Sequence, residues 1–355
     1  MCITVGWTQF QPDPCTESAK HRVSKMEIEV PDVPDVSVAP VAPDDQTKKK
    51  GRPRNNYIHL EATNPLDRDG RMKFYPGVHA YELGEGERVR LSVTGLVGKY
   101  FPGFDANKVV DEHFEHWKRG KSTKYYALIR YLTEVQGKDE DFCKSAIRRV
   151  WELDGTYAAE EGTKMHDDFE AIVNNQTPAQ GETKEVVMFR QWLALFCEEL
   201  DVEPFRSEML VYYLHGDRVL VAGQVDLVLR GRTDKAKFVC VDYKRTDPTP
   251  SYKGGGQVLL GQEAPSRFAN DQRGMGPFSS WEASKYWKYC AQQNIYGHIA
   301  AEQYDIDFRD NMFLLQIHPS LDRAHAVTVP RTTEEMEELF KLEREEMDLE
   351  PSSPF

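Results

Sequence analysis

The chain has 355 residues, 40% of them hydrophobic, and a net charge of −13. This length holds one large domain or two small ones with a substantial buried core. No apolar run approaches the roughly 20 residues that cross a bilayer, so we expect no membrane span and no membrane partner. The negative charge alone argues against nucleic acid, because contacts to phosphate need local lysine and arginine. From Arg206 to Lys288, however, 13 basic residues stand against 9 acidic ones, so local charge leaves DNA open as a partner.

The cysteines are scattered and form no Cys-x-x-Cys pair. The first residues resemble neither a signal peptide nor an Arg-rich, acid-poor mitochondrial transit peptide. Both observations predict an intracellular protein in a reducing compartment. The six cysteines are Cys2, Cys15, Cys143, Cys197, Cys240 and Cys290.

Residues 1–56 are rich in proline, aspartate and serine, a composition typical of a disordered tail. The tail ends in a basic block, Lys48 to Arg54, that resembles an AT-hook. In that reading Arg52 and Arg54 contact the minor groove of DNA. A nuclear import signal or a solubilising run is the alternative, and an import signal would favour the nucleus. The tail is also a candidate surface for a protein partner.

Helical periodicity dominates the next part of the chain. Apolar residues recur at spacings of three and four in VVDEHFEHW, in KYYALIRYLTEVQ and from Thr183 to Leu200. We therefore expect residues 57–155 to form a mainly helical segment that packs on the core and makes one wall of a DNA channel.

From Glu208 the period shifts toward two, which predicts the strands EMLVYYL, VLVAGQVDLVL and KFVCVDYK. The last two form a hairpin across GRTDKA. A long Gly- and Pro-containing connection follows over residues 246–280, and a connection of this length is either functional or disordered. Its aromatic residues Tyr252 and Phe268 are candidates to stack on single-stranded DNA.

The C-terminal third is predicted as a helix from about Trp281 to Tyr304, the strand NMFLLQIHP and an acidic helix within residues 331–355. Thr333 is placed to cap the acidic helix. This helix either binds a partner protein or packs its apolar side on the domain. The apolar side consists of Met336, Leu339 and Phe340.

The hairpin carries ionisable groups where core residues are expected. Asp226 lies in its first strand, and Asp242 and Lys244 lie in the second, two residues apart and so on one face. Two carboxylates and an ammonium in adjacent strands suit Mg²⁺ or Mn²⁺, with the backbone carbonyl of Tyr243 as a further ligand. Lys244 would then orient or deprotonate a water bound to the ion. A buried Asp242–Lys244 ion pair is the alternative, although it costs several kcal/mol per ion in desolvation and leaves Asp226 without a partner.

These residues resemble the Asp, Asp-x-Lys core of the PD-(D/E)XK nuclease superfamily. Flanking motifs are similar to its RecB-like branch, which includes exonuclease V, CRISPR adaptation nucleases and the mitochondrial genome maintenance exonuclease. EEGTKMHDDFE matches a Gly-Thr-x-x-His-x-x-x-Glu element, FRSEMLVYY supplies an acidic strand residue, and CAQQNIYGHIA contains Gln-x-x-x-Tyr. The resemblance covers about residues 91–330.

The resemblance implies a role for each matched residue. It makes His166 a metal ligand, Glu208 a member of the active site, and Gln292 and Tyr296 contacts to DNA. Glu170, one turn after His166, is a candidate to orient that histidine. Each residue also has a structural alternative. Glu208 could pair with Arg206, and the others could cap, pack or remain on the surface.

The implied fold is α/β, a restriction-endonuclease-like core over residues 156–330 with a mixed central β-sheet flanked by helices, plus the helical N-terminal part. The implied function is metal-dependent DNA hydrolysis in repair or replication, by an exonuclease acting on single-stranded ends or flaps. No iron-sulfur cluster is expected, because relatives that have one carry cysteines beyond the Gln-x-x-x-Tyr helix and here the last is Cys290. The alternatives are a catalytically silent DNA-binding protein and a replication or transposition accessory protein.

Overall fold

A computed structural model describes residues 58–84, 87–250, 257–261 and 272–349. The predictions for the tail, for Arg52 and Arg54, and for Tyr252 and Phe268 lie outside the described residues. The helices are α1 (His59–Thr63), α2 (Val93–Tyr100), α3 (Ala106–Arg119), α4 (Tyr126–Arg130), α5 (Glu140–Val173), α6 (Lys184–Glu199), α7 (Lys285–Tyr304) and α8 (Thr333–Leu349). The strands are β1 (Met72–Tyr75), β2 (Ala80–Leu83), β3 (Glu87–Arg88), β4 (Val202–His215), β5 (Arg218–Gly231), β6 (Phe238–Lys244), β7 (Thr249–Pro250), β8 (Gln257–Val258), β9 (Met312–Gln316) and β10 (His325–Thr328). Among the helices of these ranges, none combines the length and the apolar composition that crossing a bilayer requires.

The protein is α/β, with a mixed five-stranded sheet flanked by helices, as the sequence predicts. The strand order is β10-β9-β6-β5-β4; β6 and β9 are parallel and the other neighbours are antiparallel. The predicted hairpin is β5–β6. Parallel strands need a crossover connection, and α7 lies in the segment that links β6 to β9.

Helices cover both faces of the sheet. One core joins the first face to α2, α7 and α8 and includes Val228 and Cys240, so Cys240 is a core residue. A second core joins the other face to α5 and α6 and includes Leu227 and Val241. Strands covered on both sides read as near-continuous apolar runs. An ionisable side chain within β5 or β6 is therefore an exception that needs a reason.

The helical part before the sheet has a core of its own, built from α3, α4 and the first half of α5. Helix α5 then continues without a break across the expected border at residue 155 and carries His166 to the sheet. Its 34 residues span about 50 Å at 1.5 Å per residue. Residues 152–160 are exposed around the whole circumference, so this stretch bridges two packed regions.

Two further elements complete the arrangement. A small sheet of β1, β2 and β3, which the sequence does not predict, packs against β4 and β5 through Phe74, Tyr81 and Tyr212. Helix α8 buries Met336, Leu339 and Phe340, so the predicted packing of its apolar side is confirmed. Its buried carboxylate Glu343 accepts hydrogen bonds from the Lys99 ammonium (2.6 Å) and the Tyr100 hydroxyl (2.7 Å) of α2.

Candidate metal centre

Three carboxylates lie in a row across β4, β5 and β6. The pairs Ser207–Leu227 and Met209–Val225 flank Glu208 and Asp226, which therefore lie opposite each other. On the other side of β5, Leu227 pairs with Val241, and one residue further along this register Asp226 comes opposite Asp242. The pairing that the sequence predicts between the two hairpin aspartates is thus present, and β4 adds the third acid.

The regular alternation of side chains breaks at Asp226. Residues two apart on a strand share a face, yet Val225 packs in the first core and Leu227 in the second. Opposite the break, Glu208 has a left-handed backbone with φ of 46°, which costs a non-glycine residue about 1–3 kcal/mol. The side-chain amide of Gln224 donates to the Glu208 carbonyl (3.1 Å) and so braces this conformation. Because of this distortion, the carboxylates of Glu208 and Asp226 lie outside the two packed cores and next to His166.

His166 approaches from α5, which is fixed to the sheet by its buried neighbours Met165 and Phe169. Its Nδ1 lies 3.6 Å from Oε1 of Glu208 and 3.7 Å from Oδ2 of Asp226. Its Nε2 lies 3.2 Å from the backbone carbonyl oxygen of Tyr243. The imidazole therefore contacts two carboxylates through Nδ1 and, through Nε2, the Tyr243 carbonyl, whose role as a metal ligand stays a prediction.

Ligand atoms of His166, Glu208 and Asp226 all lie within 4.8 Å of one another. They form the one such group of three or more His, Cys, Asp or Glu side chains in the described part of the chain. The Asp226 carboxylate is held in place by the backbone N–H of Tyr243, which donates to its Oδ2 at 2.7 Å. One imidazole and two carboxylates at this spacing can bind a divalent ion.

Asp242 and Lys244 lie beside this group. The Lys244 ammonium is 2.5 Å from Oδ2 of Asp242, so the ion pair that the sequence left open as an alternative is present. Oδ2 is buried, and the Lys244 ammonium is its partner there. The pair therefore balances the charge of Asp242 and leaves the carboxylates of Glu208 and Asp226 facing His166.

The electrostatics of the site show an excess of buried negative charge. Burial and the nearby Glu208 raise the pKa of Asp226, and burial together with repulsion from Asp226 raises the pKa of Asp242 to about 6. Burial by itself lowers the pKa of His166, but Asp226 and Glu208 outweigh it and raise the value to about 9. Burial likewise opposes the charge on Lys244, yet Asp242 and Asp226 leave its pKa raised. A bound cation would relieve this excess.

Helix α7 lines the same place with polar groups. Lys244 donates to the amide oxygen of Gln292 (3.2 Å), and the amide nitrogen of Gln292 donates to the Tyr296 hydroxyl (3.3 Å). Tyr296 packs directly on the backbone of β5, because a Cβ at Gly223 would lie only 2.6 Å from its ring. The two residues are thus part of the site rather than of a remote helix surface.

The structure decides several of the sequence alternatives. Glu208 does not pair with Arg206, whose guanidinium instead binds Asp69 with two hydrogen bonds of 2.9 Å. Arg245 points to the other face, as the strand period predicts, and pairs with Glu185 at 3.3 Å. Glu170 is buried one turn after His166, and its orienting role stays a prediction.

Three residues near the site are not predicted from the sequence. The Asp168 carboxylate is buried and accepts hydrogen bonds from the backbone and the side chain of Gln180. Gln224 supports the Glu208 backbone, and the centre of the Tyr289 ring lies 4.6 Å from the Lys244 ammonium. Tyr289 lies three residues before Gln292, and this helical spacing was the available signal. No local residue preference predicts the left-handed backbone at Glu208, which Gln224 supports.

No family model matches the chain, and no curated protein matches it.

Proposed function

We propose that this protein hydrolyses phosphodiester bonds of DNA with Mg²⁺ or Mn²⁺ bound at the hairpin. The observation that carries the proposal is the convergence of His166, Glu208 and Asp226 within 4.8 Å, beside the Asp242–Lys244 pair. Carboxylate and carbonyl oxygens are the ligands that Mg²⁺ and Mn²⁺ prefer, and an imidazole is well tolerated by Mn²⁺.

The donor set fits such an ion. His166, Glu208 and Asp226 would hold it, with Asp242 beside them. With Nδ1 toward the ion, Nε2 of His166 would donate to the Tyr243 carbonyl and so orient the ring. The raised pKa values of both aspartates, whose burial disfavours their negative charges, support this fit. When bound, the ion polarises the scissile phosphate and lowers the pKa of a coordinated water.

Lys244 provides a positive charge at the site in addition to that of the metal ion. Its ammonium lies next to the carboxylates, largely shielded from solvent, where a fixed charge acts through a low dielectric. There it can donate a hydrogen bond to the attacking water and offset the negative charge that develops on the phosphate. Gln292 contacts Lys244 and Tyr296 contacts Gln292, and their amide and hydroxyl would bind the DNA strand.

The fold we propose for the sheet and its helices is the restriction-endonuclease-like core of the RecB-like branch. The mixed sheet flanked by helices supports it, as does the order of the site elements along α5, β4, β5, β6 and α7. The substrate that this resemblance favours is single-stranded DNA with a free end.

The test is cleavage of labelled DNA with Mg²⁺ or Mn²⁺. We expect EDTA to stop the reaction and Lys244→Ala to slow it by about 10²- to 10³-fold, the usual cost of removing one charge-stabilising donor. Lys235→Ala is the matched control, because Lys235 lies at the far end of the hairpin in an exposed pair with Glu203. Wild-type protein that leaves DNA intact with metal, or Lys244→Ala protein that cleaves at the wild-type rate, would show the proposal to be wrong.

Two further comparisons separate the alternatives. DNA that is bound but never cut would support the catalytically silent binding protein. An exonuclease should degrade end-labelled linear single strands and spare circular ones, whereas cutting of the circle would identify an endonuclease.

A further inference from the structure

We infer that Tyr289 is a positioning residue for Lys244, and this inference rests on the proposed function. The Lys244 ammonium lies 4.6 Å from the centre of the Tyr289 ring. A cation within about 6 Å of an aromatic face is attracted by the ring quadrupole. Tyr289 and Gln292 are three residues apart on α7, so one helix face presents both to the ammonium.

A lysine needs several contacts to hold its charge at one point. Its four-carbon stem is flexible, and fixing it costs about 2 kcal/mol of rotamer entropy. Lys244 has three partners in the structure: Oδ2 of Asp242 at 2.5 Å, the amide oxygen of Gln292 at 3.2 Å and the Tyr289 ring. The side chain is 15% exposed, so water competes little for the ammonium.

The three partners differ in what else they bind. In the proposed function the Asp242 carboxylate also faces the metal ion and the Gln292 amide also faces the DNA strand, so each polar partner of Lys244 has a second ligand when the site is loaded. A ring face competes for neither ligand. Tyr289 is therefore the partner that stays with the ammonium during the reaction, and its hydroxyl is dispensable for this role.

The kinetic test compares Tyr289→Phe with Tyr289→Leu. Phe keeps a ring face and should retain nearly the wild-type kcat. Leu should lower kcat by about 2- to 30-fold, the rate equivalent of one cation–π contact, with KM changed less than about twofold. Tyr286→Leu is the matched control, because Tyr286 is a half-buried tyrosine on α7 whose hydroxyl faces the Thr328 carbonyl rather than Lys244.

Two kinetic results would overturn the inference. Equal kcat values for the Phe and Leu variants would show that the ring face does not matter. A rise in KM alone would place Tyr289 against the substrate rather than behind Lys244. Circular dichroism of each variant checks its folding, and Tyr289→Met, which keeps more side-chain volume, replaces the Leu variant if that one fails to fold.

A second measurement needs no enzymatic activity. In protein labelled with ¹³C-lysine, Lys244→Arg identifies the Lys244 ε-methylene signal, which the ring should shift upfield. The shift should remain in Tyr289→Phe and vanish in the Leu or Met variant. An unshifted wild-type signal would refute the contact even if DNA is cleaved. A shifted signal in a protein that cleaves nothing would keep the contact and refute only the proposed function.

Discussion

Magnesium binding should depend steeply on pH through His166. The two neighbouring carboxylates raise its pKa to about 9, so the imidazole is protonated at neutral pH. A metal ligand must be the neutral imidazole, and binding therefore has to displace the proton. The variable to change is pH between 7 and 8.5, in protein without DNA.

The size of the effect follows from that pKa. With a pKa of about 9, about 1% of the imidazole is neutral at pH 7 and about a quarter at pH 8.5. The apparent Mg²⁺ affinity should therefore rise about 25-fold, or about 1.9 kcal/mol, over this interval. Asp242, whose pKa is about 6, is already charged throughout and adds little.

Isothermal titration calorimetry measures both the affinity and the protons released. Repeating each titration in buffers of different ionisation enthalpy should show about one proton released per Mg²⁺ at pH 7. His166→Gln keeps a polar side chain that does not titrate here and should lose the pH dependence. An affinity that is flat between pH 7 and 8.5, or an unchanged slope in the Gln variant, would refute a metal-binding role for this histidine.

Two other substitutions test the hydrogen bond from Gln224 to the Glu208 backbone and the loss of folding stability at low pH. Gln224→Leu removes the amide that supports the Glu208 backbone. In single-turnover experiments it should lower the rate constant of cleavage by about 2- to 12-fold, the equivalent of one net hydrogen bond. An unchanged rate constant would mean that this hydrogen bond is not needed. Burial lowers the pKa of His298 to about 4, so the fold favours its neutral form and loses this stability as pH falls from about 6.5 toward 4. Urea unfolding at pH 7 and pH 5 should show the wild type losing about 1 kcal/mol more than His298→Gln, after allowance for partial exposure, and equal losses would contradict this.

Much of the sheet and part of the centre could be predicted from sequence. The apolar segments VLVAGQVDLVL and KFVCVDYK, joined by the polar turn GRTDKA, predict the β5–β6 hairpin, and an Asp and a Lys two residues apart must share a face of β6. Helical spacing likewise places Gln292 and Tyr296 together. These features depend on local periodicity, which a single sequence carries.

The remaining features depend on contacts between distant segments. The left-handed backbone of Glu208 arises where β4 meets β5, and no local residue preference encodes it. Asp168 is buried because Gln180, beyond the end of α5, folds back onto it. The continuity of α5 through the exposed stretch at residues 152–160 depends on packing at its two ends rather than on the stretch itself.

Anomalous diffraction from a crystal grown with Mn²⁺ would locate the ion at the hairpin most directly. We predict a peak within about 2–2.5 Å of atoms of His166, Glu208 and Asp226, absent from an Asp226→Asn crystal. A peak elsewhere, or none at a Mn²⁺ concentration that supports cleavage, would contradict a metal-dependent nuclease built on these residues.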